Sequence, residues 1–365
     1  MTAWSPQQDQ ALRAVKAWLK SPGRAPFYLG GYAGTGKTTL ARHLAEGVKG
    51  DVLFAAFTGK AALVMRAKGC TGASTIHSLI YRPKPRRDGS VTFVLNEDSP
   101  VASAALVIVD ECSMVGPELG RDLMSFGTKV LVLGDPAQLP PVDGAGYFTG
   151  GDPDFMLTEV HRQAADNPII AMSMRVRQGG RLDAGAYGES RVIQRAALGQ
   201  RAVLCADQIL VGRNQTRRGL NAKVRRLYGR DPAGPEIGDR LVCLRNNKDK
   251  GLLNGGLWEV ADVAQNDGAT VELEVMPDHD PDAVPLSVEV RSEFFHGQEE
   301  ALSPKQRKGF DEFTYGYALT VHKAQGSQWD RVVLFDESTA FRDHARRWLY
   351  TGLTRAADAV TVVLS

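Results

Sequence analysis

The sequence predicts an α/β protein built from two parallel-sheet domains flanked by helices, the first carrying a small β-hairpin insertion and the second a larger β insertion. Three observations lead there. Residues 1–160 alternate four β-rich runs, "FYLGG", "VLFAAF", "ALVIVDE" and "KVLVLGD", with helix-like stretches such as "TTLARHLAEGV" and "KAALVMRAKG". Runs that are apolar throughout belong to parallel strands covered on both faces. The same style returns in "QILVGRN" and the basic helix "RRGLNAKVRRLYG" of 161–235, and in "RVVLFDE" and "AVTVVLS" near the end. Between them, 236–312 breaks into "GDRLVCLRN", "GLWEVADVAQ", "ATVELEVM" and "PLSVEVRSEFF", the spacing of a small all-β module.

Bulk properties set limits without choosing a function. With 365 residues, 43% hydrophobic and 24% charged, the chain reads as an ordinary globular protein of two or three domains. No apolar run approaches the ~18 residues of a membrane helix, and "MTAWSPQQDQALRAV" lacks the layout of a signal peptide. Cys70, Cys112, Cys205 and Cys243 are scattered, with no C-x-x-C pair. That pattern gives no disulfide framework or zinc site, and a cytoplasmic setting is expected. A net charge of +2 neither supports nor excludes a nucleic-acid partner; any grip on a polyanion would be local.

Taken in order, the elements end in chemistry. The first strand runs into "GYAGTGKT" (31–38), which fits G-x-x-x-x-G-K-[ST] in full. Backbone N–H groups of such a loop and the N-terminus of the helix behind it cradle phosphates. Gly34, Thr35, Gly36, Lys37, Thr38 and Thr39 are the expected nucleotide contacts, Lys37 reaching the β- and γ-phosphates of ATP and Thr38 holding Mg2+. The strand "LVIVDE" (106–111) ends in adjacent carboxylates, placing Asp110 on the magnesium and Glu111 on the attacking water, a pair suited to hydrolysis. Between these strands, 81–100 is proline- and arginine-rich and carries "DGS" before an alternating "VTFVL". It reads equally as a hairpin inserted between sheet elements or as a solvated surface loop.

With "GDPAQLPPV" after the next strand, "GYAGTGKTT", "VDECSM" and "GDPAQLPPV" together resemble motifs I, II and III of superfamily 1 helicases. "FTGKAA", "STIHSL", "YALTVHKAQGSQ" and "YTGLTRA" resemble motifs Ia, Ib, V and VI, and "SPQQDQAL" the adenine-reading Q motif, with Gln8 the best match. The order and combination are similar to the RecD-like and Dda-like group B helicases across almost the whole chain.

The resemblance implies two RecA-like P-loop domains: 1A over 1–160, with 81–100 as the strand-separating pin of domain 1B, and 2A over 161–235 and 313–365, interrupted by an SH3-like domain 2B over 236–312. It implies that Gln138 senses the γ-phosphate and that Arg162 and Arg355 supply cations to the ATP site. It places Thr58, Lys60, Thr75 and His77 on the DNA-binding surface of the first domain, and Thr320, His322, Gln325 and Asn214 on that of the second. The expected partners are single-stranded DNA and duplex junctions, with no membrane, and single-strand-binding or replication and repair proteins are candidates. Travel from 5′ to 3′ is implied by the group alone. Ala324 and Gln328 depart from the usual Ser and Glu, which bears on nucleotide selectivity. The alternatives are an ATPase that translocates or remodels protein–DNA complexes without opening duplexes, a nucleotide-gated switch module, and an RNA track, which phosphate contacts alone do not distinguish from DNA.

Overall fold

The computed structural model describes residues 4–85, 91–140, 146–159, 167–247, 250–278 and 283–364. The chain divides into two compact units, Met1–Gln178 and Gly179–Ser365. This division falls later than the 160/161 boundary read from sequence. Helix Pro168–Arg177 goes with the first unit, where the Arg177 guanidinium lies 3.4 Å over the ring of Tyr32.

Six strands of the first unit form one all-parallel sheet: β1 (Phe27–Gly31), β2 (Val52–Ala56), β3 (Ser74–Thr75), β6 (Leu106–Asp110), β7 (Val130–Gly134) and β8 (Phe155–Leu157), in the order β3-β2-β6-β7-β1-β8. Alternate residues feed two separate cores. Leu29, Ile108, Leu131 and Leu133 face helices α1 (Pro6–Lys20), α2 (Lys37–Glu46) and α3 (Gly59–Ala67). Tyr28, Val107, Val109, Val130 and Val132 face α4 (Ile76–Ile80) and α5 (Pro117–Ser125). Coverage on both sides is why these strands are apolar without alternation, and each fully buried Leu, Ile or Val contributes about 1.5–3 kcal/mol.

The excursion at 81–100 contains an antiparallel pair, β4 (Tyr81–Pro85) and β5 (Val91–Leu95), forming a sheet of their own. Its turn, with "DGS", lies outside the described residues. The pair is fixed at its base: the Tyr81 hydroxyl donates to Asp122 on α5, Asn96 N donates to Ile80 O over 2.8 Å, and Leu95 packs on the α4–α5 core. Farther out, Phe93 stands 55% exposed opposite Pro83. A proline on a two-stranded ribbon costs little, because each strand has a free edge.

The second unit contains a sheet ordered β17-β11-β18-β19-β10-β9, from β9 (Gly185–Tyr187), β10 (Ser190–Gln194), β11 (Gln208–Val211), β17 (Ala318–Thr320), β18 (Trp329–Phe335) and β19 (Ala356–Leu364); only the β9–β10 pairing is antiparallel. Between β11 and β17 lies a five-stranded antiparallel module, β15-β14-β13-β12-β16, made of β12 (Arg240–Cys243), β13 (Leu257–Asn266), β14 (Thr270–Pro277), β15 (Leu286–Arg291) and β16 (Phe313–Tyr315). Its last strand extends past the 312 limit read from sequence, because "FTYGYALT" is split by Gly316. A Cβ there would stand 2.9 Å from the Leu241 backbone, so glycine lets the chain leave one sheet and enter the next.

Module and sheet are joined by a buried charge. Asp239, fully enclosed, accepts from Arg225 Nε at 3.0 and 3.1 Å, from Arg230 at 2.6 Å and from the Tyr317 hydroxyl at 2.8 Å. No helix among the described residues is long and apolar enough to cross a membrane. Three thiols are buried: burial pushes Cys70 up, Cys243 up to about 12 and Cys112 well above its ordinary range, while Cys205 is exposed.

Removing one partner of a buried ion pair strands the other charge, at a cost of about 3–5 kcal/mol. Asp239→Ala should therefore lower the unfolding midpoint of the second unit, read by differential scanning calorimetry. An unchanged midpoint would show that Asp239 does not hold module and sheet together.

Candidate nucleotide and strand-binding site

The phosphate loop bridges β1 and α2. Gly34 and Gly36 take φ of 79° and 80°, the left-handed region that favours glycine. Gly36 occupies the N-cap of α2 with no side-chain cap, so the first-turn N–H groups of α2 are not capped from that position. The Lys37 ammonium donates to Gly31 O at 2.6 Å and Tyr32 O at 3.2 Å, which holds the charge against the loop. Thr35 is buried, its hydroxyl on Tyr32 O; Thr39 follows in the first turn of α2. Gln8 is also buried. Its amide oxygen accepts from Ser5 N in the cap of α1 and its amide nitrogen donates to Thr35 O at 3.2 Å. Helix α1 thus braces the loop through the residue expected to read adenine.

Strand β7 separates β1 from β6, yet the acid pair after β6 reaches the loop. Thr38 Oγ1 donates to Asp110 Oδ2 at 2.9 Å, and Asp110 Oδ1 accepts from Glu111 N at 2.8 Å. Glu111 has φ 54°, one of two non-glycine residues with positive φ among those described. That conformation turns the chain sharply after β6 at a cost of order 1 kcal/mol or more. The turn needs Gly134 at the end of β7, where a Cβ would stand 2.6 Å from Cys112 Sγ. Beyond β7, Gln138 is buried with its amide oxygen lacking a hydrogen-bond partner among the described residues, in a turn closed by Ala137 N on Asp135 Oδ1 at 2.9 Å.

The other predicted residues separate into two groups. Thr58 and Thr75 cap α3 and α4 at the carboxyl ends of β2 and β3, accepting from Ala61 N at 3.2 Å and Ser78 N at 3.1 Å. Lys60 lies in the first turn of α3, and His77 is exposed with its ring 6.1 Å from Phe57 and 5.6 Å from Tyr81. In the second unit, Asn214 opens helix Asn214–Leu227 and accepts from Arg217 Nε at 3.2 Å; the start of that helix is held by Glu337, on Gly212 N at 2.7 Å and Thr216 Oγ1 at 2.6 Å. Thr320 ends β17, His322 lies 5.4 Å from the Phe341 ring, and Gln325 is buried. Burial, with His344 nearby, holds the His322 imidazole below its usual range. Arg355 is buried, donating to Thr351 O, Ser327 O and Thr354 Oγ1 within its own unit. Arg162 lies outside the described residues.

The family model described as AAA domain matches residues 4–197, more than half of the chain, and that of the UvrD-like helicase C-terminal domain matches 315–363. The ATP-dependent RecD2 DNA helicase of Deinococcus radiodurans is 32% identical over 363 residues, covering 90% of this chain and 46% of that protein. The ATP-dependent DNA helicase dda of phage T4 is 31% identical over 166 residues, 41% of this chain and 37% of that one. This chain belongs to the AAA-domain family. It spans under half the length of its RecD2 relative. Among solved structures, Pif1 helicases unwinding forked duplex DNA and Bacteroides Pif1 bound to single-stranded DNA give TM-scores of 0.59 and 0.57 at 18% identity, each covering 99% of this chain and 92% of the other. The fold is accordingly Pif1-like, built on RecA-like α/β sheets.

One residue near this AAA-domain loop escaped the sequence reading. Arg177 stacks on Tyr32 inside the phosphate loop, and "MRVRQGG" carries no spacing that ties it to residue 32. Gly134 is likewise visible in sequence only as a strand end. Gly134→Ala should displace Cys112 and with it the acid pair; misplacement of about 1 Å can cost ~100-fold in rate. ATP turnover by the folded variant should fall at least tenfold, measured as phosphate release. Parent-level turnover would mean that the acid pair does not depend on this close approach.

Proposed function

We propose that this chain is an ATP-driven motor that moves along single-stranded DNA, from 5′ to 3′, and opens duplexes at a junction. The observation that carries the reading is the convergence of Lys37, Thr38, Asp110 and Glu111 at the carboxyl ends of β1 and β6, with Thr38 2.9 Å from Asp110. The names of the relatives and the DNA in the Pif1 structures support the motor class.

In this reading the loop N–H groups and Lys37 bind and orient the phosphates, with Gly34 to Thr39 as their cradle. Thr38 Oγ1 and Asp110 Oδ2, two hard oxygen donors already in contact, fit a magnesium ion, which supplies neutralisation of phosphate charge when bound. Glu111 orients the attacking water and takes its proton. Gln138, buried beyond β7, senses the γ-phosphate through its amide N–H, and Arg162 and Arg355 offer cations to the charge that develops. Gln8, beside the loop, reads the adenine. Thr58, Lys60, Thr75, His77, Asn214, Thr320, His322 and Gln325 contact the strand through its phosphates, which sets position without reading sequence. The β4–β5 hairpin is the pin, and exposed Phe93 is its apolar face toward the terminal base pair, whose unstacking costs about 1.4 kcal/mol.

Two experiments test this. Single-stranded DNA should stimulate the ATPase, Lys37→Ala should abolish turnover, and Glu111→Gln should bind ATP yet hydrolyse it poorly; full activity in Glu111→Gln would remove that carboxylate from the mechanism. Replacing 84–97 with a Gly-Ser turn should keep DNA-stimulated ATPase and streptavidin displacement while greatly reducing unwinding. Unwinding of 3′-tailed rather than 5′-tailed duplexes would reverse the direction. If the parent opens no duplex at all, the reading becomes a translocating ATPase.

A further inference from the structure

The second unit contains a cavity of about 580 Å³ that none of the residues assigned above to the nucleotide or the strand line. One wall is helix Asn214–Leu227, which presents Arg217, Arg218, Arg225 and Arg226; Arg230 follows just after it. The opposite wall comes from the β module, with Phe295, His296 and Tyr315. No acidic side chain among the described residues lines it.

The cations are not balanced. Arg225 and Arg230 share Asp239, while Arg217 and Arg218 share Glu299, with Glu300 a further partner of Arg218. Arg226 makes no ion pair among the described residues, so three carboxylates face five guanidinium groups. The Arg217 side chain is only 11% exposed and stands 3.7 Å from Glu299, a long contact for a charge so enclosed. Two buried polar atoms of the wall, Tyr315 Oη and Arg218 Nε, have no hydrogen-bond partner among the described residues. Gly297, at φ 70°, is part of the same construction, since a Cβ there would stand 3.0 Å from Arg218 Cδ. A buried cation without full compensation is costly, and an anion in the cavity would remove that cost.

We propose that this cavity is a second anchoring site for nucleic acid, taking a backbone phosphate between the arginines with the adjoining base against the exposed ring of His296. The inference rests on the motor reading above. Guanidinium forks match phosphate oxygens, and aromatic rings accept any base. Continuity favours a strand over an acidic peptide: Arg217 of the cavity donates to Asn214 of the candidate strand surface at 3.2 Å. A strand held at Asn214 continues into the cavity along the same helix. The site grips a nucleotide beyond those held by the motif residues, and so lengthens the footprint of the second unit.

The test uses the full chain, a fluorescein-labelled oligothymidylate and fluorescence anisotropy across a salt series. Arg226→Glu is exposed and unpaired, so it should melt as the parent does. It should weaken binding about tenfold, the effect of losing a charged contact. It should also flatten the slope of log affinity against log salt by about 0.7, one phosphate on a single strand. His296→Ala, at an exposed position, should weaken binding while leaving that slope unchanged, which separates base stacking from charge. Parent-like affinity and slope in Arg226→Glu would overturn the proposal. So would competition by polyglutamate, or by inorganic phosphate alone, that Arg226→Glu abolishes while oligonucleotide binding stays intact, since the cavity would then serve an acidic peptide or a free anion. A parent that binds no oligonucleotide at all would instead sink the motor reading itself.

Discussion

The hydrogen bond from Thr38 to Asp110 is the constraint on which the first unit is organised. It joins the end of β1 to the end of β6 across an intervening strand, at 2.9 Å. Such a contact needs the chain after β6 to fold back sharply and the strand between to present no side chain where it passes. Glu111 in the left-handed region supplies the first and Gly134 the second. The two cores, fed by alternate residues of β6 and β7, then hold both strand ends in register. Packing and chemistry are in this sense one arrangement, because a shift of either core moves the acid pair against the phosphate loop.

Much of this was legible in the sequence for a physical reason. Parallel strands buried on both faces must be apolar throughout, so "LVIVD" and "KVLVLG" declare themselves, and a phosphate loop demands glycines where φ is positive. The hairpin is ambiguous in sequence because its strands mix prolines, arginines and exposed residues, while in the structure Tyr81 pairs with Leu95. The limits at 160 and 312 were misplaced where a contact distant in sequence decides the matter: Arg177 on Tyr32, and β16 on β12. Gln8 carries two kinds of signal. A motif match marked it as a reader of base, while its hydrogen bonds tie it to the cap of α1 and to the loop backbone.

The second unit solves another problem, the joining of a β module to a parallel sheet in one body. A single carboxylate does most of this, since Asp239 draws together a helix arginine, the arginine after that helix and the tyrosine that leads into β17. An ionic joint of this kind is directional where apolar packing is not, so it fixes the angle at which the module stands on the sheet. The basic cavity beside it is a by-product of the same helix: arginines two turns apart reach Asp239 and Glu299, and they line the cavity together with Arg226.

The uneven burial of the thiols has a consequence for how this molecule could be watched. Nucleophilic sulfur is the thiolate, and burial disfavours its formation at Cys70, Cys112 and Cys243. Cys205 alone is open to solvent, at the end of the short helix before β11. A maleimide dye would therefore mark the native chain at one point in the second unit, with no cysteine removed.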